Sequence, residues 1–325
     1  MNRRRNEPRD FQRHPCRHRF DGVSLNDRFH RGPAWVLLML LLTGCTTERH
    51  SAVPNDWRTW QAKRHQSIAG TNGWLTLAGL HWLHEGDNFV GADPTNHVVL
   101  PAGKAPPTVG VFARSGKTVR FRADLKAGVT VSNAPVTDLD LVSDAGETPT
   151  RLQVSGLAFW VLDRGERMGV RVRDPQSAAR REFSGLSCFP YDPKWRLEGR
   201  FEPYSEAAIL RVPDVTGGLQ ELRAVGDVVF EHRGNTSRLQ VVEEPGEEDL
   251  FVIFRDRTAG DSTYAAGRYL YVARPTSGDA VVVDFNRAYT PPCGFTAYAT
   301  CPLPPRRNWL PLAIRAGERT PSGHP

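Results

Sequence analysis

The sequence predicts a mainly β protein, an antiparallel β-sandwich or barrel-like domain with a short N-terminal helix. Short apolar and β-branched runs recur at roughly regular intervals along most of the chain, separated by Gly, Pro, Asp or Asn. This spacing is typical of antiparallel sandwiches and barrels. The 29 glycines and 25 prolines suit an architecture with many turns. No glycine-rich phosphate loop follows a strand, as a nucleotide-binding fold would require.

The predicted helix begins at Asp56, a good N-cap residue, and ends at Gly70. One face is predicted to hold its apolar residues, Trp57, Trp60, Ala62 and Ile68. Strands then begin with the apolar segment 74–83, and a turn at 85–88 leads into 89–91. Further strand candidates lie at 97–100, 109–113, 118–123, 128–132, 150–154, 157–163, 168–173, 195–202, 206–213, 227–230, 237–243, 250–255, 268–273 and 280–285. The proline-rich segment 290–319 is predicted to be mostly irregular, with one candidate strand over 309–314.

An apolar run near the N-terminus predicts export from the cytoplasm. Residues 34–42 (AWVLLMLLL) follow an arginine-rich stretch and lead through Thr43 and Gly44 into Cys45. The run is too short to span a bilayer core of about 30 Å, and the order of basic, apolar and small residues is typical of an export signal. It resembles a bacterial lipoprotein signal, which makes Cys45 the predicted lipid attachment site. An ordinary signal peptide or a buried apolar segment is the alternative.

The charge of the chain disfavours nucleic acid as a partner. The net charge is +6, but residues 1–44 hold nine arginines against four carboxylates, so the chain from Cys45 onward carries only +1. A nearly neutral protein offers no electrostatic footprint for a phosphate backbone. The basic stretch is longer than a usual signal n-region, which indicates a start codon assigned too far upstream or a disordered extension.

The predicted organisation has four parts. Residues 1–44 form the N-terminal extension and signal peptide, 45–56 a polar tether, 57–319 a single β-rich domain and 320–325 a disordered tail. The β-rich part is long enough for one large domain or two modest ones. One continuous domain is favoured, and a boundary between two modules near 200–215 is the alternative.

Polar residues concentrate between 254 and 318 and form the candidate ligand pocket. Asp256 either holds a turn as an Asx-type residue or pairs with Arg268 to orient a polar ligand. Asp284 follows a β-branched strand, and sites often form where a rigid strand ends. The alternative is that Asp284 and Asn286 bond to the backbone of the following loop. The candidate pocket comprises Asp256, Arg268, Asp284, Asn286, Tyr289 and Glu318.

Cys293 and Cys301 are the candidate disulfide. Seven residues separate them, and an exported protein resides in an oxidising compartment. Such a bridge would stabilise the fold by about 2–3 kcal/mol. Zinc would need more ligands than this segment offers, and the spacing is not that of a Cys-x-x-Cys redox pair. We therefore predict neither a metal nor a cofactor.

Five segments resemble one family of proteins. They are GWLTLAGLHWLHEGDNFVG at 73–91, FRDRTAGDSTYAAGR at 254–268, DFNRAYTPPC at 284–293, CPLPP at 301–305 and AGE at 316–318. These segments are similar to the bacterial and archaeal domain-of-unknown-function family 1684, over roughly 57–319. The resemblance implies a single β-rich domain, exported or cytosolic, and transfers no activity.

Two functions are consistent with these residues. The first is a lipid-anchored envelope protein that binds a polar small ligand or an envelope partner without chemistry. The alternative is a hydrolase-like enzyme that uses a carboxylate of the C-terminal polar residues as general base, so whether the protein is an enzyme stays open. The predicted partners are membrane lipid through acylated Cys45 and a polar small molecule or envelope component. Because Thr46 rather than Asp follows Cys45, the predicted location in a two-membrane host is the periplasmic face of the outer membrane.

Overall fold

The computed structural model describes residues 53–321. The predicted signal peptide, Cys45, most of the tether and residues 322–325 of the predicted tail lie outside the described residues. Within 53–321 the chain is mainly β, with three sheets and a short N-terminal helix, which confirms the predicted fold class. Among the described helices, none is long and apolar enough to span a bilayer.

Helix α1 spans Asn55–Ala69, close to the predicted bounds. Its buried residues are Trp57, Arg64 and Ile68. Ala62 is exposed, contrary to the prediction, and Arg64 takes the core position because its guanidinium reaches the carboxylate of Glu318. Asp56 lies in the first turn of the helix and not at the N-cap. A second helix, α2, covers only Ala178–Arg181.

The first half of the chain forms a β-sandwich of two sheets. Sheet I has the order β1-β11-β10-β9-β6-β7 and consists of β1 (Leu77–Trp82), β6 (Thr130–Val131), β7 (Ala134–Pro135), β9 (Leu152–Val154), β10 (Leu157–Arg164) and β11 (Arg167–Arg173). Sheet II has the order β3-β2-β4-β5-β8 and consists of β2 (Gly86–Gly91), β3 (Val98–Val99), β4 (Gly110–Ser115), β5 (Thr118–Ala123) and β8 (Asp138–Leu141). The two sheets pack around a common core that includes the rings of Phe112, Phe121 and Phe159.

The turn predicted at 85–88 lies earlier, because the Asn88 side chain bonds to the backbone of His84 and β2 already begins at Gly86.

The second half forms sheet III and a separate hydrophobic core. Sheet III has the order β16-β15-β14-β13-β12-β17 and consists of β12 (Arg196–Pro213), β13 (Leu219–His232), β14 (Asn235–Glu243), β15 (Leu250–Phe254), β16 (Arg268–Val272) and β17 (Ala280–Asp284). The strands predicted over 195–202 and 206–213 are one long strand, β12. Its pairing with β13 shifts register between Pro203 and Ala208. Proline lacks a backbone N–H, so an irregularity beside Pro203 is expected.

The segment after β17 is irregular, as predicted, and packs against both sheet III and sheet I. Residues 309–314, within the described part of the chain, form no strand, contrary to the prediction. Leu310 donates its backbone N–H to Arg255 beyond the end of β15, and Ile314 is fully buried in the core of sheet III. Further back in the same segment, Tyr298 packs against an apolar cluster of sheet I that includes Trp160.

Candidate functional site

Asp256 and Arg268 form a buried ion pair. Arg268 Nη2 lies 3.3 Å from Asp256 Oδ1, and Arg268 is fully buried. The guanidinium also donates to the carbonyl oxygens of Ile314 and Ala316, while Asp256 accepts from the Thr258 hydroxyl and the Ile314 N–H. The pKa of Arg268 is lowered by burial, and the neighbouring Asp256 opposes that shift. Asp256 therefore holds its turn and pairs with Arg268 at the same time, and the orientation of a ligand by this pair stays a prediction.

Glu318 forms a second buried ion pair, with Arg64 of α1. Glu318 Oε1 lies 2.8 Å from Arg64 Nε, and Glu318 Oε2 accepts the Thr290 backbone N–H at 2.9 Å. The Tyr289 ring packs against the same guanidinium, whose Cζ lies 4.5 Å from the ring centroid. Burial raises the pKa of Tyr289 above its usual value. Glu318 and Tyr289 thus join the N-terminal helix to the C-terminal segment.

Asp284 and Asn286 form a third group. The Asn286 side-chain amide exchanges two hydrogen bonds of 2.9 Å with the backbone of Asp192 and donates to Asp284 Oδ1. Asp284 also accepts the backbone N–H of Asn286 at 3.1 Å. The strand ends at Asp284 because a 3₁₀ turn follows over Phe285–Arg287.

The structure thus distributes the six predicted residues over three groups along the C-terminal segment. Their polar side chains bond to partners inside the protein. Two surface cavities, of about 680 and 530 Å³, are lined by other residues. The first is lined by Arg223 and by residues within 243–249 and 274–276, and the second by 103–106, 155–157, Asp174 and Gln176. A common pocket for the six residues stays a prediction.

Cys293 and Cys301 are adjacent and are not bridged in this structure. The backbone N–H of Cys293 lies 3.2 Å from the sulfur of Cys301, and both residues are buried. The hydrogen bond with Cys301 lowers the pKa of Cys293, whereas burial raises the pKa of Cys301 well above its usual value. The disulfide therefore stays a prediction. Within 53–321, no three His, Cys, Asp or Glu side chains are grouped so that they could hold a metal ion.

Sequence reasoning missed a row of arginines on the outer face of sheet I. On β11, Met168, Val170 and Val172 point into the sandwich core, so Arg171 and Arg173, at the alternate positions, point outward. Two further arginines, one at the end of β10 and one just before β9, alternate with core residues in the same way. The arginine row, as we call it, consists of Arg151, Arg164, Arg171 and Arg173.

Tryptophan rings support this row. The Cζ atoms of Arg151 and Arg173 lie 4.1 and 5.2 Å from the centroid of the Trp160 ring. Arg171 Cζ lies 5.7 Å from the Trp74 ring. Such cation–π contacts hold guanidinium groups at an apolar surface without neutralising their charge.

Arg171 is the unusual member of the row because it is buried and incompletely bonded. It is 6% exposed, and its Nε and Nη2 atoms have no hydrogen-bond partner among the described residues. Burial and the neighbouring Arg164 lower its pKa to about 10. Arg173 Nε is unpaired as well. Because buried N–H groups are nearly always bonded, these donors mark the best candidate site in the described part of the chain.

The comparisons with known proteins identify the family. The family described as "Protein of unknown function (DUF1684)" matches residues 181–319. An uncharacterised protein of Haloarcula marismortui with a solution NMR structure is 33% identical, with 45% of this chain and 81% of that chain covered and a TM-score of 0.38. Together, the family match and this sequence identity show that the chain belongs to the DUF1684 family.

Other solved structures are less similar. A phosphothreonine-dependent FHA domain and the FhaA FHA domain complexed with the intracellular domain of Rv3910 are each 20% identical, with TM-scores of 0.21. They cover 29% of this chain and 92% and 97% of their own chains. Similarity at this level carries no argument about function. None of the curated proteins matches the chain.

Proposed function

We propose that this protein is a non-catalytic binding protein of the cell envelope, anchored by lipid on Cys45, and that it binds a polar small ligand at the arginine row. The observation that carries the binding proposal is Arg171, a buried cation with two unpaired donors. A buried charge without a partner costs folding free energy, so its presence is best explained by a ligand that supplies the missing acceptors.

A ligand could reach Arg171 along the row itself. Arg151 is exposed, Arg173 is half-buried and Arg171 is buried, so the guanidinium groups lead inward from solvent. The inner end of the row faces the C-terminal segment, where Thr300 accepts a hydrogen bond of 2.9 Å from Arg164 Nε. Sheet I and the C-terminal segment would therefore form the two walls of the site.

Two of the three carboxylates among the six predicted residues favour binding over the hydrolase alternative. Asp256 is paired with Arg268, and Glu318 is paired with Arg64. A general base must be free to accept a proton from a substrate or a water molecule. Either carboxylate would have to leave its ion pair before it could act in that way.

The anchoring proposal rests on the sequence order that ends at Cys45, which lies outside the described residues. It is tested by fractionation of cells that produce the wild-type protein or Cys45→Ser. We expect the wild type to sediment with membranes and to carry acyl chains, and the variant to be released into the soluble fraction. Membrane association of Cys45→Ser equal to that of the wild type would contradict the anchor.

The binding proposal is tested by a thermal-shift screen of polar small molecules, including neutral sugars, amino acids, carboxylates and phosphates. A ligand that binds only the folded state raises the melting temperature. We expect at least one compound to stabilise the wild type and not Arg171→Gln. Arg211→Gln is the matched control, because it removes an exposed arginine that is paired with Glu221 and does not belong to the row. An equal response of Arg171→Gln and the wild type would contradict this site, and turnover of the compound would contradict a non-catalytic role.

A further inference from the structure

The arginine row carries more positive charge than its surroundings neutralise. Asp144 accepts from Nη1 and Nη2 of Arg164 at 3.1 and 2.8 Å. The other three arginines of the row have no ion pair among the described residues. After burial, which is the larger cause, neighbouring arginines further lower the pKa values of Arg171 and Arg173. A ligand with a single negative charge would leave most of this excess in place.

The two unpaired donor atoms of Arg171 lie on the edge of the guanidinium group that suits an oxyanion. Nε and Nη2 lie on one edge of the planar guanidinium group, and this edge binds two oxygens of a phosphate or carboxylate side by side. In Arg171 these are the two atoms that lack partners. Arg173 occupies the next outward-facing position of β11, roughly 7 Å along the strand, and contributes a third unpaired donor through its Nε. Three donors from two arginines suit a tetrahedral oxyanion better than a planar carboxylate.

The aromatic side chains at this site support the arginines. The Trp160 ring contacts Arg151 and Arg173, and the Trp74 ring contacts Arg171. Because guanidinium groups already pack on these rings, we expect charge and hydrogen bonding, and not ring stacking, to provide recognition.

From this geometry we propose that the ligand of the arginine row carries a phosphate dianion, as in a phosphate monoester, with two of its oxygens on the Nε–Nη2 edge of Arg171 and a third on Arg173 Nε. This inference rests on the proposed function, because it assigns the chemical class of the ligand at that same site. The rest of the ligand would extend past Arg151 towards solvent.

The test is isothermal titration of the full-length protein in detergent at about pH 8, where the second phosphate proton has dissociated. The probes are inorganic phosphate, glycerol phosphate and acetate as a monoanion. The unacylated Cys45→Ser protein, in buffer without detergent, is also titrated with vesicles of phosphatidylcholine with and without phosphatidic acid. We expect phosphate and glycerol phosphate to bind and acetate not to bind. Binding to vesicles only when they contain phosphatidic acid, with the same dependence on Arg171, would identify a lipid headgroup as the source of the phosphate.

Variants separate the charge of the site from its geometry. Arg171→Lys keeps the charge but loses the two-donor edge, so it should weaken phosphate binding by about tenfold or more, as should Arg171→Gln. Arg173→Gln, at a half-buried position, tests the same site without changing the buried residue and should weaken binding by a smaller factor. Arg211→Gln should bind like the wild type.

The outcomes distinguish the two proposals. Acetate binding as tightly as phosphate, with the same loss in Arg171→Gln, would overturn the phosphate assignment and leave the binding site standing. Phosphate binding that is unchanged in both Arg171→Gln and Arg173→Gln, or no binding of any anion, would overturn the phosphate assignment. If, in addition, no compound in the thermal-shift screen stabilised the wild type more than Arg171→Gln, the proposed binding site would also be contradicted.

Discussion

Arg268 and Arg171 are two buried arginines in very different surroundings. Arg268 bonds to Asp256 and to two backbone carbonyl groups, and only its Nε is unpaired. Arg171 packs near the Trp74 ring, and two of its donor atoms have no partner among the described residues. The first arginine completes a network that holds the fold together. The second destabilises the fold unless something else binds it, and the comparison therefore separates a structural arginine from one suited to a ligand.

The largest loss of folding stability is expected for Arg268→Met. The substitution leaves Asp256 buried without its counterion and frees the carbonyl groups of Ile314 and Ala316. Breaking a buried ion pair in this way typically costs about 3–5 kcal/mol. Urea unfolding followed by tryptophan fluorescence would measure the loss. Arg268→Lys, which keeps the charge, should recover part of it, and a wild-type midpoint for Arg268→Met would show that Arg268 is not structural.

Arg64→Met is expected to lower the free energy of unfolding somewhat less, by about 2–4 kcal/mol. Glu318 would lose its counterion but keep the hydrogen bond from the Thr290 N–H. Arg58→Met is the matched control, because Arg58 is an exposed arginine of the same helix and its loss should change the unfolding free energy by about 0.5 kcal/mol or less. Equal effects of the two substitutions would contradict a specific role for the Arg64–Glu318 pair.

Oxidation of Cys293 and Cys301 to a disulfide should have the next largest effect on the free energy of unfolding. If the predicted disulfide forms, reduction should lower the free energy of unfolding by about 2–3 kcal/mol. Mass spectrometry after alkylation would count the free thiols. Cys301→Ser should abolish the response to reductant, whereas Cys188→Ser should retain it. Alkylation of both Cys293 and Cys301 in protein isolated from the envelope would contradict the bridge.

Local sequence patterns were enough to predict the fold class, the helix and most strands. The residues from Asn55 to Ala69 carry their own helix signals, and the runs that became β15 and β17 are apolar enough to identify strands without any tertiary information. The pairing of Asp256 with Arg268 was one of two stated alternatives, because both residues lie at the ends of strands joined by one loop. These successes concern residues that are close in sequence.

Contacts between distant parts of the sequence could not be predicted in the same way. Arg64 resembles any exposed helical arginine until Glu318 is brought beside it from the other end of the chain. Likewise, arginines that alternate with apolar residues over 167–173 look like the solvent face of a strand. Only the register of β10 and β11, and the C-terminal segment that packs on sheet I, reveal that Arg171 is buried.

The smallest expected change in the free energy of unfolding is an increase, and it concerns Arg171. Because the pKa of folded Arg171 is lowered to about 10, the folded state binds fewer protons than the unfolded state between about pH 10 and the higher pKa of a free arginine. Stability should therefore rise with pH across that interval, and the destabilising contribution of the charge is fully present at neutral pH. Arg171→Met removes the charge and keeps the apolar contacts, so it should raise the free energy of unfolding at neutral pH by about 1–3 kcal/mol.

The most direct measurement compares the unfolding free energies of the wild type and Arg171→Met at neutral pH, with and without inorganic phosphate. Without phosphate, Arg171→Met should be the more stable protein. Phosphate should stabilise the wild type and leave the variant unchanged. A less stable Arg171→Met that still gains stability from phosphate as the wild type does would show that Arg171 supports the fold and that the ligand binds elsewhere.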